Sequence, residues 1–340
     1  MRSTSSDRLA AGTRVGNYLI ERELGGTATG TLYAATHVVL PRRALVKVAS
    51  LRALSVQMMR EACILEALRH AGLPTVYESG VLDERPWFAL EAVDGERLAD
   101  ALAGGPMRPA DVATLVRDVA GVLDHAHRRG VVHGGLRPER IVLTGRTRGF
   151  PVCVTEWSDA RTYDAAMTIP HLPTPGSRTY LAPELVRGDA IDDRADVYAL
   201  GVVAYQALTG GLPAPDAYIP VRARCPRAPR ELAAVIDQML ARDRFDRPSS
   251  AEVMGDLAWV TEAPRSGDTL RDLPAVIDVE LVALDDGGSA GDAADADLAA
   301  TATALPRIRK PRWTPASVVT CDHAGTVVGE IDDRDARTRH

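Results

Sequence analysis

The sequence predicts an α+β protein with two lobes, a small β-rich lobe followed by a larger α-rich lobe. Residues 17–92 contain short alternating apolar runs separated by glycine and proline, a pattern typical of antiparallel strands. Residues 93–260 instead contain long segments in which apolar residues recur at helical spacing. We therefore predict one domain over residues 17–260, with its two lobes dividing near residue 92.

The first lobe is predicted to begin with strands in YLIEREL, TLYAATH and ALVKV, of which the first two flank the glycine-rich segment GGTATG. Ser55–Arg69 carries apolar residues at helical spacing, which predicts a helix. LPTVYESGVL and PWFALEAV predict two further strands before Asp94-Gly95 interrupts the pattern. This order predicts a small sheet accompanied by one helix.

The second lobe is predicted to be mostly helical. An apolar helical pattern leads up to Val131-Val132, and short strands are expected in IVLTG and PVCVTEW. Tyr163–Ser177 is rich in proline and threonine and has no regular period, which predicts a long exposed loop. The expected helices are Pro109–Arg129, Ala195–Thr209, Glu231–Ala241 and Ala251–Val260.

The two ends of the chain are predicted to lie outside this domain. Residues 1–16 are polar and are expected to be disordered. In the tail, residues 261–340, the stretch Asp268–Asp297 has nine acidic residues against one arginine, a composition that buries little surface. This stretch is either a solvated tail or a segment that docks onto a basic partner or back onto the two lobes. A basic segment, Pro306–Pro315, follows it, and SVVTCDHAGTVVGEID predicts a small hairpin near the end.

Composition argues against several classes of function. The net charge of −6 argues against a nucleic-acid binder held by phosphate contacts. The four cysteines form no CxxC pair, which argues against a zinc site or a disulfide framework. The first residues lack the apolar segment of a signal peptide, and the longest apolar stretch, Val197–Leu208, is too short to span a bilayer. We therefore expect a cytoplasmic protein that contacts neither nucleic acid nor membrane.

The segment His133–Arg140, with the sequence HGGLRPER, joins the second lobe's first long helical pattern to the strand IVLTG, and we call it the central loop. A loop between two buried elements is a common place for catalytic groups. This loop has no Asp, Ser or Cys at the position of a reacting group, because Gly134 and Gly135 stand there.

Several motifs, in order from about Asn17 to Val260, resemble those of the bacterial (eukaryotic-like, Hanks-type) Ser/Thr protein kinase family. In LGGTATGTLYAA, Gly25 and Gly30 match the first and third glycines of the family's phosphate-covering loop, and Thr27 replaces the second. The resemblance implies a bilobal protein-kinase-like fold.

The resemblance also implies an ATP site in the first lobe. Lys47 matches the lysine that holds the nucleotide phosphates, and Glu61 matches its glutamate partner. Such a pair can also persist only to hold a helix on a sheet, and Lys47 alone could be an edge-strand lysine whose charged end reaches water. Glu91 and Val93 belong to the hinge that hydrogen-bonds adenine, and the bulky Leu45 replaces a small alanine against that ring. We therefore expect ATP binding to be weak or absent.

Most of the chemical roles that the resemblance assigns to the central loop are lost. Gly135 stands where the family has the Asp that takes the proton of the substrate hydroxyl. Arg137 keeps the positive charge of the loop lysine, whereas Arg140 replaces the Asn that holds the second magnesium ion. Glu156 replaces the Asp of the DFG motif and is the remaining candidate ligand for Mg²⁺. Because a cation at position 140 would repel Mg²⁺, we do not expect strong metal binding.

Features that hold the family's fold together are kept. By the resemblance, Asp196 anchors the central loop, and Glu184 forms a buried ion pair with Arg247. His133 and Trp157 would stack in the hydrophobic column that joins the two lobes. Plain core packing is the alternative interpretation of this tryptophan.

Three hypotheses about function follow. The first is a pseudokinase, a regulatory or scaffolding module that binds a protein partner such as an active kinase or its substrate. The second is an atypical Ser/Thr protein kinase that transfers the γ-phosphate of ATP using Lys47, Glu61 and Mg²⁺ on Glu156. The third is a structural adaptor that acts through its tail. A different alignment of the central loop would leave Glu139 or Asp159 as the catalytic acid.

Overall fold

A six-stranded antiparallel sheet forms the first lobe, in the spatial order β1-β2-β3-β4-β6-β5. The computed structural model describes residues 8–27, 29–50, 55–145, 148–162, 177–214, 217–259, 318–321 and 327–331. The strands of this sheet are β1 (Arg14–Val15), β2 (Tyr18–Gly26), β3 (Gly30–His37), β4 (Arg43–Ala49), β5 (Val76–Leu82) and β6 (Arg85–Glu91).

Strand β4 shows why the two faces of this sheet differ. Val46 and Val48 lie in an apolar cluster on one face, together with Tyr18 and Trp87. Because side chains alternate along a strand, Lys47 points to the opposite face. There, helix α1 (Ser55–Leu68) buries its apolar side chains against the sheet and against the core of the second lobe. The alternation therefore directs one buried lysine towards α1.

The second lobe is built around α3 (Pro109–His127) and α5 (Arg194–Thr209), and from Ala195 to Leu208 only Gln206 is not buried. A capping box between Ser249 and Glu252 begins the last helix of the lobe, which packs on α3. In chain order the elements are β7 (Glu96–Arg97), α2 (Leu98–Ala103), α3, β8 (Val131–Val132), β9 (Ile141–Leu143), β10 (Val152–Val154), β11 (Arg161–Thr162), α4 (Pro183–Arg187), α5, α6 (Val221–Arg224), α7 (Arg230–Met239) and α8 (Ser250–Asp256).

Short strand pairs frame the central loop. Strand β8, before the loop, pairs with β11, and β9, after it, pairs with β10 and β7. The prediction of an apolar helix up to Val131-Val132 is wrong, because α3 ends at His127 and these valines form β8. Gly130 adopts a positive φ of 71°, a conformation that a helix does not continue through. The loop is therefore held between two small sheets.

The ordered region begins earlier than we expected from the polar residues 1–16. Arg14–Val15 pairs with the start of β2, and Val15 is fully buried, because its side chain completes the apolar cluster on the outer face of the sheet. Residues 1–7 lie outside the described residues, as does the predicted loop Tyr163–Ser177 up to residue 176. The last predicted helix ends at Asp256 instead of Val260.

The tail contributes one small element to the described residues. Strands β12 (Val318–Cys321) and β13 (Val327–Ile331) form a separate two-stranded sheet where we predicted a hairpin. The predicted acidic and basic segments of the tail lie outside the described residues. Among the helices that the structure describes, none combines the length and apolar character needed to cross a membrane.

Candidate functional site

The glycine-rich segment closes on itself at the turn from β2 to β3. The backbone N–H of Thr27 donates to the carbonyl of Gly30 at 2.6 Å, and the threonine hydroxyl bonds both backbone groups of Gly30. A Cβ at Gly30 would overlap the carbonyl oxygen of Val48, so this position needs glycine. The Thr27 side chain thus serves to close the turn.

The predicted pair between Lys47 and Glu61 is present. The lysine Nζ lies 2.6 Å from the glutamate Oε2, and both side chains are almost fully buried. Burial raises the pKa of Glu61, and the ammonium group of Lys47 opposes that rise. Lys47 is therefore not a surface lysine of an edge strand, and the pair ties α1 to the sheet.

The side chain of the hinge residue Glu91 is held by an arginine of the second lobe. Arg148, from the turn between β9 and β10, binds both carboxylate oxygens of Glu91 and the carbonyl oxygens of Ala71 and Leu73. Burial would raise the pKa of Glu91, but the bonds from Arg148 outweigh it and hold the pKa below its usual value. The Glu91 side chain is thus already occupied, which leaves only backbone groups of the hinge for an adenine.

Two other predicted hinge-side residues, Leu45 and Val93, are half-buried. Leu45 stands opposite Leu90 in the register of β4 and β6, and it packs against the main apolar core. The leucine therefore lies on the face of the sheet where the resemblance implies that an adenine would stack.

Asp196 at the start of α5 anchors the central loop. Its carboxylate accepts hydrogen bonds from the backbone N–H groups of His133 and Gly134, at 2.7 and 2.8 Å, and contacts the His127 ring at 2.9 Å. Burial would raise the pKa of Asp196, but its partners, His127 first, lower it overall. The loop position is thus fixed by a buried carboxylate that stays ionised.

His133 and Trp157 stack as predicted, with ring centroids 4.7 Å apart in an edge-to-face arrangement. The Trp157 indole N–H donates to the Val154 carbonyl at 2.9 Å, so this fully buried ring has no unpaired polar atom. Leu65 of α1 lies in the same core, and the half-buried Val76 packs against it. The contact between His133 and Trp157 of the predicted column is therefore present, and Leu65 and Val76 belong to the same apolar core.

Gly135 has no room for a side chain. A Cβ at this position would overlap the Nη1 atom of Arg140 and lie 2.8 Å from the Oδ2 of Asp159. The Arg140 Nη1 also donates to the carbonyl of Gly135 at 3.0 Å. The guanidinium of Arg140 thus occupies the space into which an aspartate at position 135 would extend.

Arg140 bridges two carboxylates. Its Nη1 lies 2.6 Å from Asp159 Oδ2, and its Nε lies 3.1 Å from Glu156 Oε2. The Arg140 side chain is 7% exposed, whereas that of Glu156 is 50% exposed. A second arginine, Arg137, approaches the same Glu156 oxygen at 3.7 Å and Glu139 at 3.5 Å. Both cations of the central loop therefore face Glu156.

Glu156 itself has a left-handed backbone, with φ of 56° and ψ of 67°. This conformation is unfavourable for a residue with a side chain and costs on the order of 1–3 kcal/mol where it occurs. The surrounding structure holds it in place, since Trp157 is buried directly after it and β11 pairs with β8 beyond it.

The residues of this site do not fit a magnesium ion. Mg²⁺ requires oxygen ligands in an octahedral arrangement, and an arginine offers only N–H donors. The predicted ligand Glu156 already binds a guanidinium through Oε2, and Asp159 binds the same guanidinium. Within the part of the chain that the structure describes, no group of three His, Cys, Asp or Glu side chains could hold a metal ion.

The predicted ion pair between Glu184 and Arg247 is fully buried and bidentate, with N–O distances of 2.6 and 2.8 Å. Burial would raise the pKa of Glu184, but Arg247 lowers it overall. This pair joins α4 to the segment before α8 and lies outside the cluster around Arg140.

Sequence reasoning named Asp159 only as an alternative acid, and it missed Arg148 entirely. Asp159 lies 19 positions after Arg140 in the chain and reaches it only because the backbone turns at Glu156. Arg148 lies in a turn without a motif, so no spacing marks it. The one available signal was that positions 135 and 140 both depart from the family pattern. In the structure, the residues at these two positions contact each other.

Comparison with known proteins agrees with this fold. A profile described as the protein kinase domain matches residues 18–259. The kinase domain of Mycobacterium tuberculosis PknI superposes with a TM-score of 0.58 at 27% identity, covering 75% of this chain and 100% of that one. The autoinhibited serine kinase domain of titin gives a TM-score of 0.62, covering 72% of this chain and 80% of that one; at 20% identity this likeness shows the fold alone.

Curated relatives are bacterial Ser/Thr protein kinases. Pkn1 of Myxococcus xanthus is 35% identical over 212 residues, which are 60% of this chain and 30% of that protein. PknJ of Mycobacterium tuberculosis is 33% identical over 215 residues, with 60% and 36% covered. PrkC of Bacillus subtilis is 28% identical over 271 residues, with 74% and 41% covered. The chain spans about a third of the length of the first of these relatives.

Proposed function

Because the chain belongs to the protein kinase family, we propose that residues 18–259 form a regulatory or scaffolding module that binds a protein partner and transfers no phosphate. One observation carries this proposal: the Arg140 guanidinium fills the space of the side chain that Gly135 lacks. Loss of a general base alone costs about 10²–10⁴ in rate. The family binds ATP and Mg²⁺, and loss of the metal ligands adds to that cost because metal ions neutralise the transferring phosphate.

The contacts that stabilise the fold support a binding role. The pair of Lys47 and Glu61, the anchor Asp196 and the pair of Glu184 and Arg247 are all formed and buried. These contacts stabilise each lobe internally and so preserve a defined surface. A rigid fold that has lost its catalytic groups is suited to binding a protein partner, such as an active kinase or its substrate.

A second candidate is an active Ser/Thr protein kinase. The names of the curated relatives favour it, as does the intact pair of Lys47 and Glu61. In that case Asp159, whose carboxylate lies beside Gly135, is the carboxylate nearest to the missing base, and Glu156 would hold Mg²⁺. Both carboxylates would first have to leave Arg140.

A thermal-shift titration with ATP separates these candidates. The full chain, Lys47→Ala and the exposed matched control Arg43→Ala on the same strand are each titrated with Mg²⁺ and with a chelator. The proposal predicts either no shift or a shift that is the same without metal. A shift that needs both Mg²⁺ and Lys47 contradicts it and supports the active kinase.

A further inference from the structure

The Arg140 guanidinium lies between the carboxylates of Glu156 and Asp159, as a bound cation would. We propose that Arg140 is a built-in cation that fills this position permanently, so that the site takes no divalent metal ion. This inference rests on the proposed function and deepens it, because it names the cation that occupies the same site.

Three oxygen partners surround the guanidinium. Its Nη1 donates to the carboxylate of Asp159 at 2.6 Å and to the carbonyl of Gly135 at 3.0 Å, and its Nε donates to Glu156 at 3.1 Å. Arginine suits this place because its planar fork offers five N–H donors and keeps its charge in proteins. The partners are those that a metal ion would take, but the cation that binds them is covalently attached to the chain.

The missing side chain at position 135 is part of the same arrangement. Any Cβ there would overlap Nη1 of Arg140, so the arginine can enter only where the loop carries glycine. The glycine at position 135 and the arginine at position 140 therefore depend on each other. The loss of the carboxylate makes the space that the guanidinium occupies.

The charge at the positions that match the family's catalytic and metal-binding groups is also less favourable to a metal ion than in the family. The four positions that match the family's base, loop lysine, second metal ligand and DFG acid are Gly135, Arg137, Arg140 and Glu156, with one net positive charge. The family pattern of Asp, Lys, Asn and Asp has one net negative charge. Because the Arg140 side chain is 7% exposed, solvent screens its repulsion of a divalent cation only weakly.

Titration with Mn²⁺, followed by the electron paramagnetic resonance signal of the free ion, tests this inference on the full chain. The variants are Glu156→Gln, Arg140→Asn, which removes the guanidinium from both carboxylates, and the combination of these two substitutions. Arg148→Asn is the control, because it removes a half-buried arginine from its carboxylate, Glu91, away from the central loop.

We expect the wild-type chain to bind no more Mn²⁺ than Glu156→Gln. Arg140→Asn should lower the dissociation constant for Mn²⁺ by about tenfold or more, since removal of one like charge at close range easily reaches that factor. The gain should disappear when Glu156→Gln is added and should be absent in Arg148→Asn. Wild-type binding that Glu156→Gln abolishes, or no gain in Arg140→Asn, would overturn the inference.

Two further comparisons keep the test decisive. Should Arg140→Asn fail to fold, as judged by circular dichroism, the wild-type and Glu156→Gln titrations still decide whether the native site takes a metal ion. Phosphate transfer without Mn²⁺ binding at this site would contradict the proposed function and leave the built-in cation intact. Mn²⁺ binding by the wild type without phosphate transfer would contradict the built-in cation and leave the proposed function intact.

Discussion

Replacing Gly135 by alanine is expected to destabilise the protein through Arg140. The added Cβ would overlap Nη1 and lie 3.3 Å from Cζ of that arginine, so the guanidinium must move. Movement weakens its bonds to Asp159, to Glu156 and to the carbonyl of residue 135. Alanine brings only the clashing atom, so the effect isolates the steric conflict from any new charge.

Two opposing terms set the magnitude. Adding one carbon to a closely packed site costs about 1–3 kcal/mol, and the smaller conformational freedom of alanine in the unfolded chain returns about 0.4–1 kcal/mol. The free energy of unfolding should therefore fall by about 0–2.6 kcal/mol, with a central value of about 1.3 kcal/mol. In an Arg140→Gln background the clash is absent, so the two substitutions should couple by about 1–3 kcal/mol.

Urea unfolding, followed by tryptophan fluorescence, to which the buried Trp87 and Trp157 contribute, measures this cycle. Gly211→Ala is the matched control, because Gly211 is exposed and no atom lies within 4 Å of the added Cβ. If Gly135→Ala costs no more than Gly211→Ala, or if its cost is unchanged in the Arg140→Gln background, then Arg140 does not occupy the space of the missing side chain.

Three further predictions concern buried charges, each measured by urea unfolding. Replacing Arg247 by methionine should cost about 3–5 kcal/mol, because it leaves the carboxyl group of Glu184 buried without its partner; a cost under half of that would contradict the pairing. Lys47→Met should lower the free energy of unfolding by less, because burial already raises the pKa of Glu61 and lets that carboxyl group take up a proton. The difference in unfolding free energy between wild type and Lys47→Met should shrink from pH 7 to pH 5, and a constant difference would contradict the prediction. Burial lowers the pKa of His133, so below a pH of about 6.5 the unfolded chain binds a proton on this ring and the folded chain does not. The free energy of unfolding should therefore decrease as the pH falls below that value. His133→Gln should weaken this pH dependence, and an unchanged slope of the unfolding free energy against pH would contradict the prediction.

The neutral state of His133 also follows from its hydrogen bonds. Its Nε2 lies 3.2 Å from the carbonyl oxygen of Thr155, and its Nδ1 lies 3.3 Å from the backbone N–H of Gly135. The first contact needs a ring N–H, and the second needs an unprotonated nitrogen. A proton on Nδ1 would therefore disturb the central loop at Gly135.

Much of the fold was predictable because long elements carry clear periodicity. Alternating apolar runs identified β4, and helical spacing identified α1, α3 and α5. Elements of two residues, such as Arg14–Val15 and Val131–Val132, were missed because two residues cannot show a period. Those strands exist only because a partner strand lies beside them.

The candidate site was predictable residue by residue but not as an arrangement. Motif positions identified Gly135, Arg140 and Glu156 as residues of one site, and they predicted that this site binds Mg²⁺ weakly at most. They did not show that one guanidinium fills the space of the missing side chain and binds two carboxylates. That contact depends on Asp159, whose position follows from the left-handed turn at Glu156.

A single-turnover phosphate-transfer measurement tests the central claim most directly. Radiolabelled ATP is mixed with an excess of the full chain and Mg²⁺, and label transferred to protein or released as phosphate is followed for wild type, Lys47→Ala and Glu156→Ala. The account predicts the same background rate in all three, because no carboxylate stands at position 135 and Arg140 fills its place. A wild-type rate that falls to background in both Lys47→Ala and Glu156→Ala would show that the chain transfers phosphate and would contradict the account.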